Sequence, residues 1–183
     1  DGGEDDVSGG GAYTHMTILA ENNQGLANLF RLSSLASLEG YYYKPRMDRE
    51  LISRHADGLI ATTGCPGGEI QTRLRMGNYR EALRAASDYR DIFGANNFFL
   101  EIMDHDIDIE NRVKADLLKL GKELKLPLLA TNDLHYTFHQ DAAAHAALLC
   151  VQSGTTLADP KRFKFDNDEF YLKTPSQMRE LFK

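Results

Sequence analysis

Asp133 and His135 stand one residue apart beyond the apolar run from Leu126 to Ala130, in the string Ala130-Thr131-Asn132-Asp133-Leu134-His135. Carboxylate and imidazole are suitable ligands for zinc, manganese or iron, and a D-x-H pair just past a strand aims both groups into one cleft. Asn132-Asp133 could instead simply turn the chain. The adjacent His135 tips the balance toward metal, but two ligands do not complete a site.

Functional side chains of parallel α/β proteins gather where strands end. Two further strand ends carry such groups, Cys65 beside a glycine turn and Glu101 with Asp104 and His105. Cys65 reads equally well as a small buried residue or as a ligand, and a thiolate ligand would favour zinc. Period-2 alternation can turn the Glu101 carboxylate inward, where it needs a partner and could orient an imidazole. By local sequence His105 is a solvated loop histidine, His139 and His145 are structural or surface residues around a helix, and His55 has no distinguishing context. His15 lies near the start of its strand and by spacing alone is a core or cross-strand histidine. Lys161, Arg162 and Lys164, interleaved with Phe163 and Phe165, could contact DNA, although Asp159, Asp166, Asp168 and Glu169 offset them.

The elements that must position these groups alternate between β-like and helical runs from residue 14 to 153, the pattern of an α/β protein with a parallel sheet or barrel. Strands are expected at 14–20, 58–64, 98–102 and 128–131. Helices are expected after Asn22 or Asn23, with Leu26, Leu29, Phe30, Leu32 and Leu35 at helical spacing, and after Asp48. Others follow over 69–76, 79–93, from Asp106 or Asp108 to 124, and 141–151. Thr174-Pro175-x-Gln177 supplies a cap, an N-terminal proline and a capping-box partner for a last helix.

The 183 residues are 42% hydrophobic, enough for one ordinary domain with a substantial core. A formal charge of −6 argues against broad nucleic-acid binding by the chain itself, while leaving room for a local basic cleft. The apolar stretches fall short of the roughly 20 residues of a membrane span, and two cysteines fit a reducing, cytoplasmic setting without a disulfide. Residues 1–11, acidic and glycine-rich, are expected to form a flexible loop, and a chain opening inside a loop reads as a piece of something longer.

Three strings, Thr62-Thr63-Gly64-Cys65-Pro66-Gly67-Gly68-Glu69, Phe99-Leu100-Glu101-Ile102-Met103-Asp104-His105 and Thr131-Asn132-Asp133-Leu134-His135-Tyr136, closely resemble the polymerase-and-histidinol-phosphatase (PHP) domain of bacterial DNA polymerase III alpha subunits. The tail from Asp159 through Lys173 fits as well, and the resemblance is to the actinobacterial type over residues 5 to 182. It implies a distorted (β/α)7 barrel whose strand ends hold up to three metal ions with nine ligands, acting in complete members as a 3′ to 5′ proofreading exonuclease. Four of the nine positions correspond to His15, Cys65, Asp133 and His135, with Glu101 and His105 as outer groups; His15 gains this role only from the resemblance.

The family's opening H-x-H motif, the following aspartate, and the T-D-H and G-V-E segments do not occur in these residues. The expectation is therefore a partial barrel lacking its first strands. Residues 12–154 would form the C-terminal part of the barrel, and residues 155–183 would connect toward the polymerase core. The implied cofactor is a divalent metal, zinc first and manganese or iron as alternatives, at a site incomplete in this chain and inactive alone. Implied partners are the remainder of the alpha subunit and, through it, DNA and replisome subunits; an unpaired barrel edge adds self-association. A non-enzymatic scaffold with a vestigial metal site is the rival account. A histidinol-phosphatase-like phosphoesterase is the third, and the Arg162-Phe163-Lys164-Phe165 tail speaks against it.

Overall fold

The computed structural model describes residues 13–183, so the expected loop over residues 1–11 lies outside the described residues. In chain order the elements are β1 (Ile18–Ala20), α1 (Asn23–Leu38), α2 (Arg49–Arg54), β2 (Leu59–Thr62), α3 (Glu69–Arg75), α4 (Tyr79–Phe93), β3 (Phe98–Ile102), α5 (Asp108–Leu124) and β4 (Leu128–Ala130). A 3₁₀ turn at His139–Asp141, α6 (Ala142–Ser153) and α7 (Pro175–Leu181) follow. The described residues divide into two compact units, 13–102 with 112–129, and 103–111 with 130–183.

The first unit contains a mixed sheet of order β1-β2-β3-β4. β2 and β3 are parallel, as expected, with Ala61 opposite Phe98 and Thr62 opposite Phe99. β1 departs from the expected parallel arrangement and runs antiparallel to β2, with Leu19 opposite Ile60. The reason lies at the start of α1. A Cβ on Gly25 would fall 1.7 Å from the Gly58 carbonyl oxygen, and the Glu21 amide donates to that same oxygen at 2.8 Å. Residues 39–57 therefore return the chain to the beginning of α1 before β2 starts, beside the place where β1 ended.

Local chemistry sets the helix starts. The Asn22 side chain accepts from the Gly25 amide at 2.9 Å and Asp48 accepts from the Leu51 amide at 2.8 Å, satisfying first-turn donors. Thr174 and Gln177 form the expected reciprocal box at α7. α1 buries Gly25, Asn28, Leu32 and Ala36, leaving Leu26 and Phe30 exposed, because the close approach at Gly58 turns the small Gly25 face inward.

The first unit's core is built from Leu59, Ala61, Ile70, Phe98 and Leu100, all at most 1% exposed, with Tyr89 and Phe93 of α4 against Phe98. In the second unit the buried Phe170 lies against His105, His135 and Phe165. No helix among the described residues is long and apolar enough to cross a membrane, and neither cysteine is in a disulfide.

Candidate metal centre

In the first unit β2 delivers Thr62 and Thr63 to a tight, polar strand end. The Thr62 hydroxyl donates to the buried Glu101 carboxylate and accepts from the Gly64 amide at 3.1 Å. The Thr63 hydroxyl accepts from the Glu101 amide at 2.9 Å and from Gln71 Nε2 at 3.1 Å, and Gln71 also donates to the Gly64 carbonyl at 2.8 Å. Glu101 thus points inward, as period-2 alternation predicts, and helps hold the strand end from which Cys65 emerges. Gly64, at φ +75°, supplies the turn.

His15 approaches this turn through its backbone. Its amide donates to the Gly67 carbonyl at 3.0 Å, in an isolated parallel bridge with Gly68. The imidazole Nδ1 then lies 3.8 Å from Cys65 Sγ. Two ligands of a tetrahedral zinc, with Zn–S near 2.3 Å and Zn–N near 2.0 Å, stand about 3.6 Å apart. A Cβ on Gly67 would come within 3.3 Å of His15 Nδ1 and 3.7 Å of Cys65 Sγ. The missing side chain keeps open the space beside the two donor atoms, so the donor set and its surroundings fit a metal ion. Arg75 donates to the Pro66 carbonyl in the same turn; burial lowers its pKa, and the nearby Cys65 opposes that shift.

In the second unit Asp133 occupies the left-handed region at φ +43°, a conformation that aspartate tolerates better than most residues. His135 Nδ1 donates to the Asp133 backbone carbonyl at 2.6 Å. In the neutral imidazole that bond places the proton on Nδ1, so that Nε2 carries the lone pair a metal requires. Asn132 anchors the segment by donating through Nδ2 to the Glu169 and Tyr171 carbonyls, both at 2.8 Å, while the His135 amide donates to the Phe170 carbonyl at 2.9 Å.

His105 is not the solvated loop residue its local sequence suggests. Its side chain is fully buried, stacked on Phe170 with ring centroids 4.1 Å apart. Nδ1 meets Glu110 Oε1 at 2.7 Å and Nε2 meets the Asn132 carbonyl at 3.0 Å, while the His105 amide donates to Glu110 Oε2. Burial alone would lower its pKa, but the Glu110 carboxylate and the Asn132 carbonyl hold it above the ordinary histidine value. The partner that decides its environment, Glu110, sits one helical turn downstream, in a helix the sequence reveals but whose facing side chain it does not. His105 thereby braces the residue that immediately precedes Asp133.

His145 of α6 is a ring neighbour of His135, with centroids 5.6 Å apart, and of Phe165 at 4.8 Å; burial and His135 lower its pKa. A second group of potential ligands comprises His139, Asp168 and Glu169, whose donor atoms lie within 4.8 Å of one another. Sequence spacing gives no signal for this group, since His139 and Asp168 are 29 positions apart. Lys173 Nζ already contacts Glu169 Oε2 at 2.7 Å.

A family model described as the PHP domain matches residues 2–105, more than half of the chain. The chain belongs to the PHP domain family. It is 64% identical over 175 residues to the DNA polymerase III subunit alpha of Saccharopolyspora erythraea and 59% identical over 179 residues to that of Mycobacterium tuberculosis. These alignments cover 96% and 97% of the chain but only 15% of each relative. A relative of the same name, from Treponema pallidum, is 44% identical over 173 residues, covering 94% of the chain and 15% of its own length. The chain thus matches a PHP-domain fragment of the replicative polymerase subunit, and PHP domains are generally metal-binding.

Proposed function

We propose that this PHP chain supplies His15, Cys65, Asp133 and His135 as four ligands of a metal-dependent 3′ to 5′ exonuclease centre within a DNA polymerase III alpha subunit. The observation that carries it is the 3.8 Å approach of His15 Nδ1 to Cys65 Sγ over the side-chain-free Gly67. The Nε2 lone pair left to His135 supports the same reading. The thiolate favours zinc, with manganese or iron as alternatives. A bound divalent ion supplies Lewis acidity and charge neutralisation to a scissile phosphodiester.

The residues around it have supporting tasks. Glu101 holds the Thr62 to Cys65 turn, and His105 holds Asn132. Residues 12–154 form the C-terminal part of a distorted (β/α)7 barrel, and 155–183 the connection toward the polymerase core. Lys161, Arg162 and Lys164 contact DNA there, beside a Phe163 that is 62% exposed. The rest of the alpha subunit is the main partner. β1 and β4 are the outer strands of the sheet, which favours self-association when the chain is isolated.

The scaffold account has its own supporting observation: Leu148 and Val151 of α6 are 63% and 79% exposed on a helix that is apolar nearly all round. A helix of that composition normally packs against something. The two accounts separate in a metal-supplemented assay of the full-length protein on a 3′-labelled single strand. The exonuclease account predicts chelator-sensitive trimming, reduced in Asp133→Asn by at least the roughly 10- to 100-fold that loss of a ligand-supporting group costs. Trimming that is absent, or indifferent to Asp133, favours the scaffold.

A further inference from the structure

The string Tyr41-Tyr42-Tyr43-Lys44-Pro45-Arg46 lies in the connection from α1 to α2, between Glu39 and Asp48. Its three tyrosines are 63%, 55% and 81% exposed. They are held in place by a tight turn. The Tyr42 amide donates to the Lys44 carbonyl at 3.0 Å, and the Arg46 guanidinium donates to the Tyr42 carbonyl. Tyr43 forms the tip in the left-handed region, at φ 60°, where a bulky aromatic residue is uncommon and conformationally costly. A loop that served only as a connection would place glycine or asparagine there.

The ring contacts run inward from that tip to the metal-ligand pair. Tyr43 and Tyr42 meet edge to face at 4.7 Å. Arg46 lies over Tyr42 at 4.7 Å and over Tyr13 at 5.6 Å, and Lys44 Nζ lies over Tyr13 at 5.0 Å. Tyr13 in turn stacks on His15 at 5.7 Å. Exposed aromatic faces interleaved with cations are what a single-stranded nucleic acid requires, since unpaired bases stack on rings and phosphates pair with lysine and arginine. Duplex bases are already stacked and offer no such face.

The geometry points to a binding platform for two or three unpaired nucleotides, formed by Tyr41, Tyr43, Lys44 and Arg46, that leads a single strand along Tyr13 toward His15. It deepens the proposed exonuclease function and rests on it for the fate of the strand, but binding itself requires no metal. The test is photocrosslinking of the full-length protein to a short oligonucleotide bearing 5-iododeoxyuridine, in EDTA, with the crosslinked peptide identified by mass spectrometry. Crosslinks on Tyr41 to Tyr43, competed by unlabelled single strand and not by duplex, are expected. In a fluorescence-anisotropy titration of the chain with the same oligonucleotide, Tyr41→Ala with Tyr43→Ala weakens binding about tenfold or more, while Tyr41→Phe with Tyr43→Phe stays within about twofold. Two phosphate contacts predict a logarithmic salt slope that falls by about 1.4 in Lys44→Ala with Arg46→Ala. Crosslinks confined to residues 161–165 or to other parts of the protein, or unchanged affinity in the alanine pair, overturn the platform. Metal content measured on the same preparations stays the same whichever way the platform result falls, so loss of the metal centre and loss of the platform are told apart.

Discussion

At Gly67 a hydrogen replaces what would be a methyl group 3.3 Å from His15 Nδ1 and 3.7 Å from Cys65 Sγ. Gly67→Ala should therefore leave the thermal transition nearly unchanged while lowering zinc affinity roughly tenfold, the size of effect seen when a ligand's surroundings are disturbed; competition with a chromophoric chelator reads this directly. His105 makes a second residue-level prediction. Because its folded pKa is raised above the ordinary 6.5, the native state holds a proton that the unfolded chain releases. Its contribution to stability is complete below about pH 6.5 and is lost as pH rises through the folded value. Urea midpoints measured from pH 5.5 to 9 should fall over that window, and His105→Gln should flatten the fall. The burial of His105 was not legible in the sequence, since it depends on Glu110 and Phe170, one close in sequence and one 65 positions away. The nearness of His135 to Asp133 is legible, because residues separated by a single position meet within one turn of chain. The approach of His15 to Cys65 is not legible, because the bond that brings them together is a backbone bridge to Gly67 that local spacing does not encode.

At the scale of elements, helix caps and strand cores followed from the sequence while faces and directions did not. Asn22, Asp48 and Thr174 cap where their side chains allow, because capping is decided within three residues. The antiparallel β1 depends on the contact between Gly25 and Gly58, 33 positions apart, and the same contact exposes Leu26 and Phe30 against their helical spacing. Gly25→Ala would set a methyl group 1.7 Å from a backbone oxygen that has no flexible end to yield. It should destabilise the chain by about 2 kcal/mol or more, measured as a lowered denaturant midpoint at constant slope. A second stabilising unit links three helices. Glu69 accepts from Arg49, Arg73 and Tyr89. Burial would raise the Glu69 pKa, yet these cations and the Tyr89 hydroxyl hold it below the usual carboxylate range, while burial and Glu69 push Tyr89 up to about 12.

At the scale of the whole molecule, the chain is a PHP family member that spans 15% of the length of the curated relatives it matches. The central claim is the proposal that His15, Cys65, Asp133 and His135 are metal ligands. Substituting cobalt(II) into the full-length protein tests that claim most directly, because cobalt at a thiolate site gives a sulfur-to-metal charge-transfer band in the near ultraviolet and ligand-field bands in the visible. The account predicts both sets of bands at stoichiometric cobalt. Cys65→Ser should abolish the charge-transfer band, and His135→Ala should change the ligand-field bands while the charge-transfer band persists. Cobalt spectra without a sulfur band, or spectra that Cys65→Ser and His135→Ala leave unchanged, would contradict it.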